Sequence, residues 1–112
     1  MKAINLNRSL VLETPTRVAD GAGGFALTWV TVGTLWGEVR AGSGSDKAGV
    51  EISLATVSYR ITVRGAAVGA PGRPKPEQRL RDGSRVFLIL AVTERDADGL
   101  YLICFGREEA PQ

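Results

Sequence analysis

The sequence predicts an all-β fold, a small antiparallel β-barrel of six to seven strands with long loops. Three observations lead there. Apolar residues recur with a period of two rather than 3.6. Turn signals such as Asp20-Gly21, Gly23-Gly24, Asp82-Gly83 and Asp98-Gly99 separate the apolar runs. No segment carries a sustained helical stripe. With 112 residues the chain makes one domain, with a core from about residue 8 to 106 and a tail from 107 to 112.

Arg8 to Thr14 reads as the first strand, with Leu10 and Leu12 on one face. Pro15 to Gly24 reads as a turn-rich connection. Phe25 to Val32 is the second strand, with Phe25, Leu27 and Trp29 alternating against Ala26, Thr28 and Val30. Gly33 interrupts, and a bulge there would bend one long ribbon that resumes from Thr34 to Arg40. Ala41 to Ala55 breaks the pattern, opening on Gly42-Ser43-Gly44-Ser45. It reads as a mobile loop holding either a short helix or an extended arm. Thr56 to Arg64 is a clean strand, in which Val57, Tyr59, Ile61 and Val63 oppose Ser58, Arg60, Thr62 and Arg64. Gly65 to Glu77, with Pro71, Pro74 and Pro76, reads as a stiff, extended loop. Gln78 to Arg81 starts a short strand. Arg85 to Thr93 is apolar almost throughout and reads as a central strand buried on both faces. Leu100 to Phe105 closes the domain.

The search for chemistry comes back nearly empty. Histidine is absent, which removes the commonest general base and a common metal ligand. The single cysteine, Cys104, sits in the apolar run Tyr101 to Phe105 and reads as a buried structural thiol. Neither a disulfide nor a zinc site can be built, so no cofactor or metal is expected. Asp96 and Asp98 lack the other ligands of a calcium loop and are explained by turn chemistry. Gly42-Ser43-Gly44 has no following lysine of the kind a phosphate loop needs. No signal peptide is recognisable, and no stretch approaches the ~20 apolar residues that span a bilayer. No membrane partner is expected, and the chain reads as non-enzymatic.

The net charge of +2 does not by itself argue for nucleic-acid binding. Its distribution is more informative. Arg73, Lys75, Arg79, Arg81 and Arg85 outweigh Glu77 and Asp82 in one segment. Glu94, Asp96, Asp98, Glu108 and Glu109 outweigh Arg95 and Arg107 in another. The two segments are either solvated surfaces or faces that mate head to tail between copies. Trp29 and Trp36 read as core or inter-subunit packing. The competing reading is a small monomeric β-barrel that binds nucleic acid through Trp29, Trp36 and the basic segment Arg73 to Arg85.

The ordered set of motifs resembles the siphophage head–tail joining proteins (head-completion or stopper proteins), which gene transfer agents also carry. The likeness lies in three stretches. Asp20-Gly21-Ala22-Gly23-Gly24 precedes Thr28-Trp29-Val30 and Leu35-Trp36-Gly37-Glu38-Val39-Arg40, similar to a Gly-rich turn, a Trp strand and a W-x-E-V-R strand. Val57 to Arg64 is similar to an H-R-I-T-I-R strand, with Tyr59 in the place of the histidine. Asp82-Gly83-Ser84-Arg85-Val86-Phe87-Leu88-Ile89 is similar to the x-G-R-x-Y-x-I strand. The resemblance implies a β-barrel that assembles into a ring of six or twelve copies at the head–tail junction of a virion or phage-like particle built in the bacterial cytoplasm. It implies a portal-side adaptor and a tail terminator or tail tube protein as neighbours, and double-stranded DNA passing through without sequence specificity. By position, the channel or gating loop would hold Gly42, Ser43, Gly44, Asp46, Lys47 and Glu51. Contacts between subunits or rings would fall on Arg40, Arg60, Arg64, Arg73, Lys75, Arg79, Glu108 and Glu109.

Overall fold

The computed structural model describes residues 4–42 and 58–109. Six antiparallel strands follow one another: β1 (Arg8–Ala19), β2 (Phe25–Ala41), β3 (Ser58–Arg64), β4 (Arg79–Asp82), β5 (Arg85–Glu94) and β6 (Tyr101–Glu108). They close into a barrel in the order β1-β2-β3-β6-β5-β4. No helix occurs among the described residues. The expected helix or arm between 41 and 55 falls mostly outside them.

The period-two alternation puts one face of each strand inside. Leu10, Leu12, Ile61, Val63, Leu80, Phe87, Ile89, Leu102 and Cys104 are fully buried and form the core. Val32, Leu35, Val39, Tyr59 and Val92 pack around its edge. Following the pairs from Thr31 through Glu13, Arg79, Leu88, Arg107 and Ser58 leads back to β2 beside Gly42, well beyond the starting point. This stagger is what tilts the strands of a closed barrel against its axis.

Three expectations change. First, β1 does not stop at Thr14. It runs on through Pro15 to Ala19, paired only with β2 from Phe25 to Thr31 beyond Glu13. Pro15 is tolerated because the β4 side of β1 is unpaired there. The result is a two-stranded arm projecting past the barrel, and the molecule measures 54 × 36 × 24 Å. Its tip turns at Asp20, whose Oδ1 accepts the N–H groups of Ala22 (2.8 Å) and Gly24 (3.0 Å). Gly21 (φ 81°) and Gly23 (φ 86°) take left-handed conformations there. The expected bulge in β2 is present: Leu12 pairs with Gly33 and Glu13 with Thr31, leaving Val32 as the extra residue.

Second, β5 is not buried on both faces. Phe87 and Ile89 point inward, while Leu90 is 52% exposed. A barrel wall has only one inner face, so alternation leaves Leu90 outside, and a bulge between Ile89 and Ala91 shifts the next inward residue to Val92. Third, residues 65–77 are not extended. Successive turns bond Ala70 N–H to the Ala67 carbonyl and Arg73 N–H to the Ala70 carbonyl, and Pro74 is buried. Gly65 passes so close to Gly99 that a Cβ on Gly65 would lie 2.1 Å from the Gly99 oxygen. The loop is therefore pinned to the β5–β6 turn. Gly65→Ala should unfold at lower denaturant concentration than the parent, because backbone rather than a mobile side chain blocks the methyl.

Candidate interaction surfaces

Loops and chain ends divide between the two ends of the barrel. At one end lie the start of β1, Gly42, Ser58, the β4–β5 turn and the end of β6. At the other lie the arm, residues 65–77 and the β5–β6 turn. Gly42 donates its N–H to the Ser58 carbonyl at 2.6 Å, so segment 43–57 leaves and re-enters at one point. Of the proposed gating residues only Gly42 is placed. Ser43, Gly44, Asp46, Lys47 and Glu51 lie outside the described residues.

The charged candidates sort into spent and free groups. Arg79 is spent. Its Nε donates to Glu13 Oε1 at 2.6 Å, and its guanidinium lies 4.2 Å over the Trp29 ring. Arg81 binds the other carboxylate oxygen of Glu13. Glu13 is only 2% exposed. It follows core-facing Leu12, so it points to the outer side of the wall, and the two arginines shield it there. Burial pushes its carboxyl pKa up, but the hydrogen bonds and charges of Arg79 and Arg81 outweigh that and hold it below its ordinary 4.5.

Glu108 is spent as well. Arg85 grips it through two nitrogens at 2.9 and 3.0 Å and also reaches the Tyr59 hydroxyl at 3.1 Å. The hydrogen bond from Arg85 lowers the Glu108 carboxyl, and the Arg85 guanidinium is raised in return, first by that same bond. Arg73 is half-buried and caps the Ala66 carbonyl at 2.7 Å. Arg40 faces solvent with Glu38 at 3.3 Å. Arg60, Arg64, Lys75 and Glu109 are exposed. Arg60 lies 5.6 Å from the Phe105 ring centroid. The basic and acidic segments thus partly neutralise each other within one chain, through Arg85 and Glu108.

Sequence reasoning passed over Glu13 as an ordinary strand residue. The readable signal was a carboxylate at a strand position that alternates with core leucines, with Arg79 and Arg81 two residues apart on one face of another strand. Neither tryptophan is in the core. Trp29 is half-buried under Arg79, and Trp36 is 57% exposed. Of the groups the monomeric nucleic-acid reading relied on, Trp29 is half-buried and Arg79, Arg81 and Arg85 are ion-paired, whereas Trp36 and Lys75 are exposed.

Cys104 is buried, and burial pushes its thiol up to about 12, which makes it inert as a nucleophile at neutral pH. Among the described residues no group of three His, Cys, Asp or Glu side chains is placed to hold a metal. Asp96 serves its turn as expected: its Oδ1 accepts the Leu100 N–H at 3.3 Å.

The comparisons with known proteins bear on what such a barrel is for. Residues 1–109 match the family model described as phage head completion protein. The chain belongs to the phage head completion protein family. A chain in the virion of a native gene transfer agent particle is 58% identical, with a TM-score of 0.78, covering 96% of this chain and 98% of that one. The solution structure of protein SF1141 from Shigella flexneri 2a is 25% identical with a TM-score of 0.71, each chain covered completely. No curated protein matches. A head completion protein is a structural component rather than an enzyme.

Glu13, Glu108 and Asp20, the last lowered by the backbone N–H groups of Ala22 and Gly24, set an acid limit. A group whose folded pKa is below its unfolded value stabilises above the unfolded pKa and loses that contribution as pH falls through the folded value. The unfolding free energy of this head completion protein should therefore be level near neutrality and fall below about pH 4.5. Denaturant titrations at successive pH values check this. Glu13→Gln should flatten the acid slope while lowering the plateau.

Proposed function

We propose that this chain is a head–tail connector subunit, forming a ring between the portal side of the head and the tail and extending the DNA channel. The observation that carries the reading is the near-complete match to a chain of the gene transfer agent virion, within the head completion family. The architecture supports it. A connector joins two different structures, and this barrel presents different loop sets at its two ends. Its partners on this reading are further copies of itself, a portal-side adaptor, and a tail terminator or tail tube protein. Double-stranded DNA passes through without being read. A net charge of only +2 suits that role, because a strongly basic channel would hold phosphate rather than let it slide. The loop from Ala41 to Ala55 is the channel-side gate in this reading, and the Gly42–Ser58 bond lies at its base.

Cells that assemble particles without the chain should accumulate heads that lack tails and lose packaged DNA. Electron microscopy and nuclease protection of the heads read this directly. Tailed, DNA-retaining particles from such cells would refute the connector role. Replacing residues 44–56 by a short Gly-Ser linker should shift the unfolding free energy by less than about 1 kcal/mol, because the loop base stays closed. It should nonetheless leave DNA retention at background. Normal retention with that variant would remove the gate and leave the connector standing.

A further inference from the structure

Two walls of the barrel differ in kind. On the β2–β3 wall, Trp36 stands 57% exposed beside Arg64 at a shallow hollow lined also by Leu6 and Thr34. Arg60 and Arg64 project from β3 into solvent, and neither has an ion-pair partner among the described residues. On another wall, a groove of about 690 Å³ lies between the outer face of the arm and β5. Leu27, Trp29, Leu88 and Leu90 make it apolar, and its charged lining is Glu77 and Glu109 against the single cation Arg17, which leaves it acidic on balance. Both glutamates are exposed and also without an ion-pair partner among the described residues.

The positions of the two walls are complementary as well. β2 and β5 are three places apart in a closed order of six, so the walls face away from each other. Half-way round the barrel the strand stagger is half its full amount. That brings Trp36 on β2 to about the height of Ile89 on β5, between Leu88 and Leu90.

We infer that these walls are the two halves of one interface between copies of this chain. Trp36 of one copy seats in the apolar groove of the next, and Arg60 and Arg64 beside it meet Glu77 and Glu109. The inference rests on the connector ring proposed above and adds which surfaces meet. A two-fold dimer cannot satisfy it, because that would bring like walls together and set Arg60 against arginine. Opposite walls give a head-to-tail contact, which closes into a ring when the rotation between copies divides a full turn. Exposed tryptophan and arginine set against an apolar groove are the residue types that dominate interface energies. The charge pattern fixes the direction of addition.

The test uses particles assembled with the Trp36→Cys, Leu90→Cys chain and treated, once purified, with a short bis-maleimide. Buried Cys104 does not compete. The expected result is a ladder of cross-linked copies on a denaturing gel, absent from either single variant. Uncross-linked chain in particles whose head–tail junction shows a ring of it would overturn this interface and leave the ring intact. Particles without such a ring would overturn both. Charge reversal gives a second reading. Arg60→Glu with Arg64→Glu should abolish joining of heads to tails while the isolated chain unfolds as the parent does. Adding Glu77→Arg and Glu109→Arg to the same chain should restore joining, since every copy then presents both reversed walls. Failure to restore, in chains that fold normally, would count against the pairing.

Discussion

The seam between β1 and β4 is only three residue pairs long, and the Glu13 carboxylate lies across it between Arg79 and Arg81. Every other seam of the barrel is longer. A shielded carboxylate is stabilising only while its partners are present, so removing either arginine destabilises the seam. The Arg79 guanidinium also lies over Trp29, which ties the seam to the root of the arm. One ionic cluster therefore sets the closure of the barrel and the direction in which the arm leaves it. The groove beside β5 exists because the arm is held there.

What the fold then presents outside follows from which charges it leaves unspent. Arg79, Arg81, Arg85 and Glu108 are bound inside the chain. Arg60 and Arg64 stay exposed and unpaired on one wall, while Glu77 and Glu109 outnumber Arg17 in the groove on the other. For a protein with no catalytic constellation, that sidedness is the functional information. It favours addition of like copies in one direction, as a ring between head and tail requires.

The all-β class, the barrel and most strand positions were legible because alternation is a direct imprint of one buried face. Leu10, Leu12, Ile61, Val63, Phe87 and Ile89 are spaced as a barrel wall demands. Two features were hidden for physical reasons. Residues 15–19 looked like a turn because Pro15 and the glycines beyond are turn residues, yet an unpaired strand edge accepts proline. Residues 65–77 looked extended because proline stiffens a chain, yet Pro74 is buried and the loop folds back on turns. The site was half legible. Exposure of Arg60 and Arg64 followed from alternation, whereas the internal engagement of Arg79 and Glu108 depends on neighbours distant in sequence. The family likeness supplied the head–tail role, which no periodicity could have given.

The most direct measurement is a cryo-electron microscopy map of the head–tail junction in particles that contain this chain. The account predicts a closed ring of these barrels around the DNA path, with the β2–β3 wall of each copy against the β5 groove of the next. Isolated copies scattered on the head shell, or barrels at the junction meeting through like walls, would contradict it.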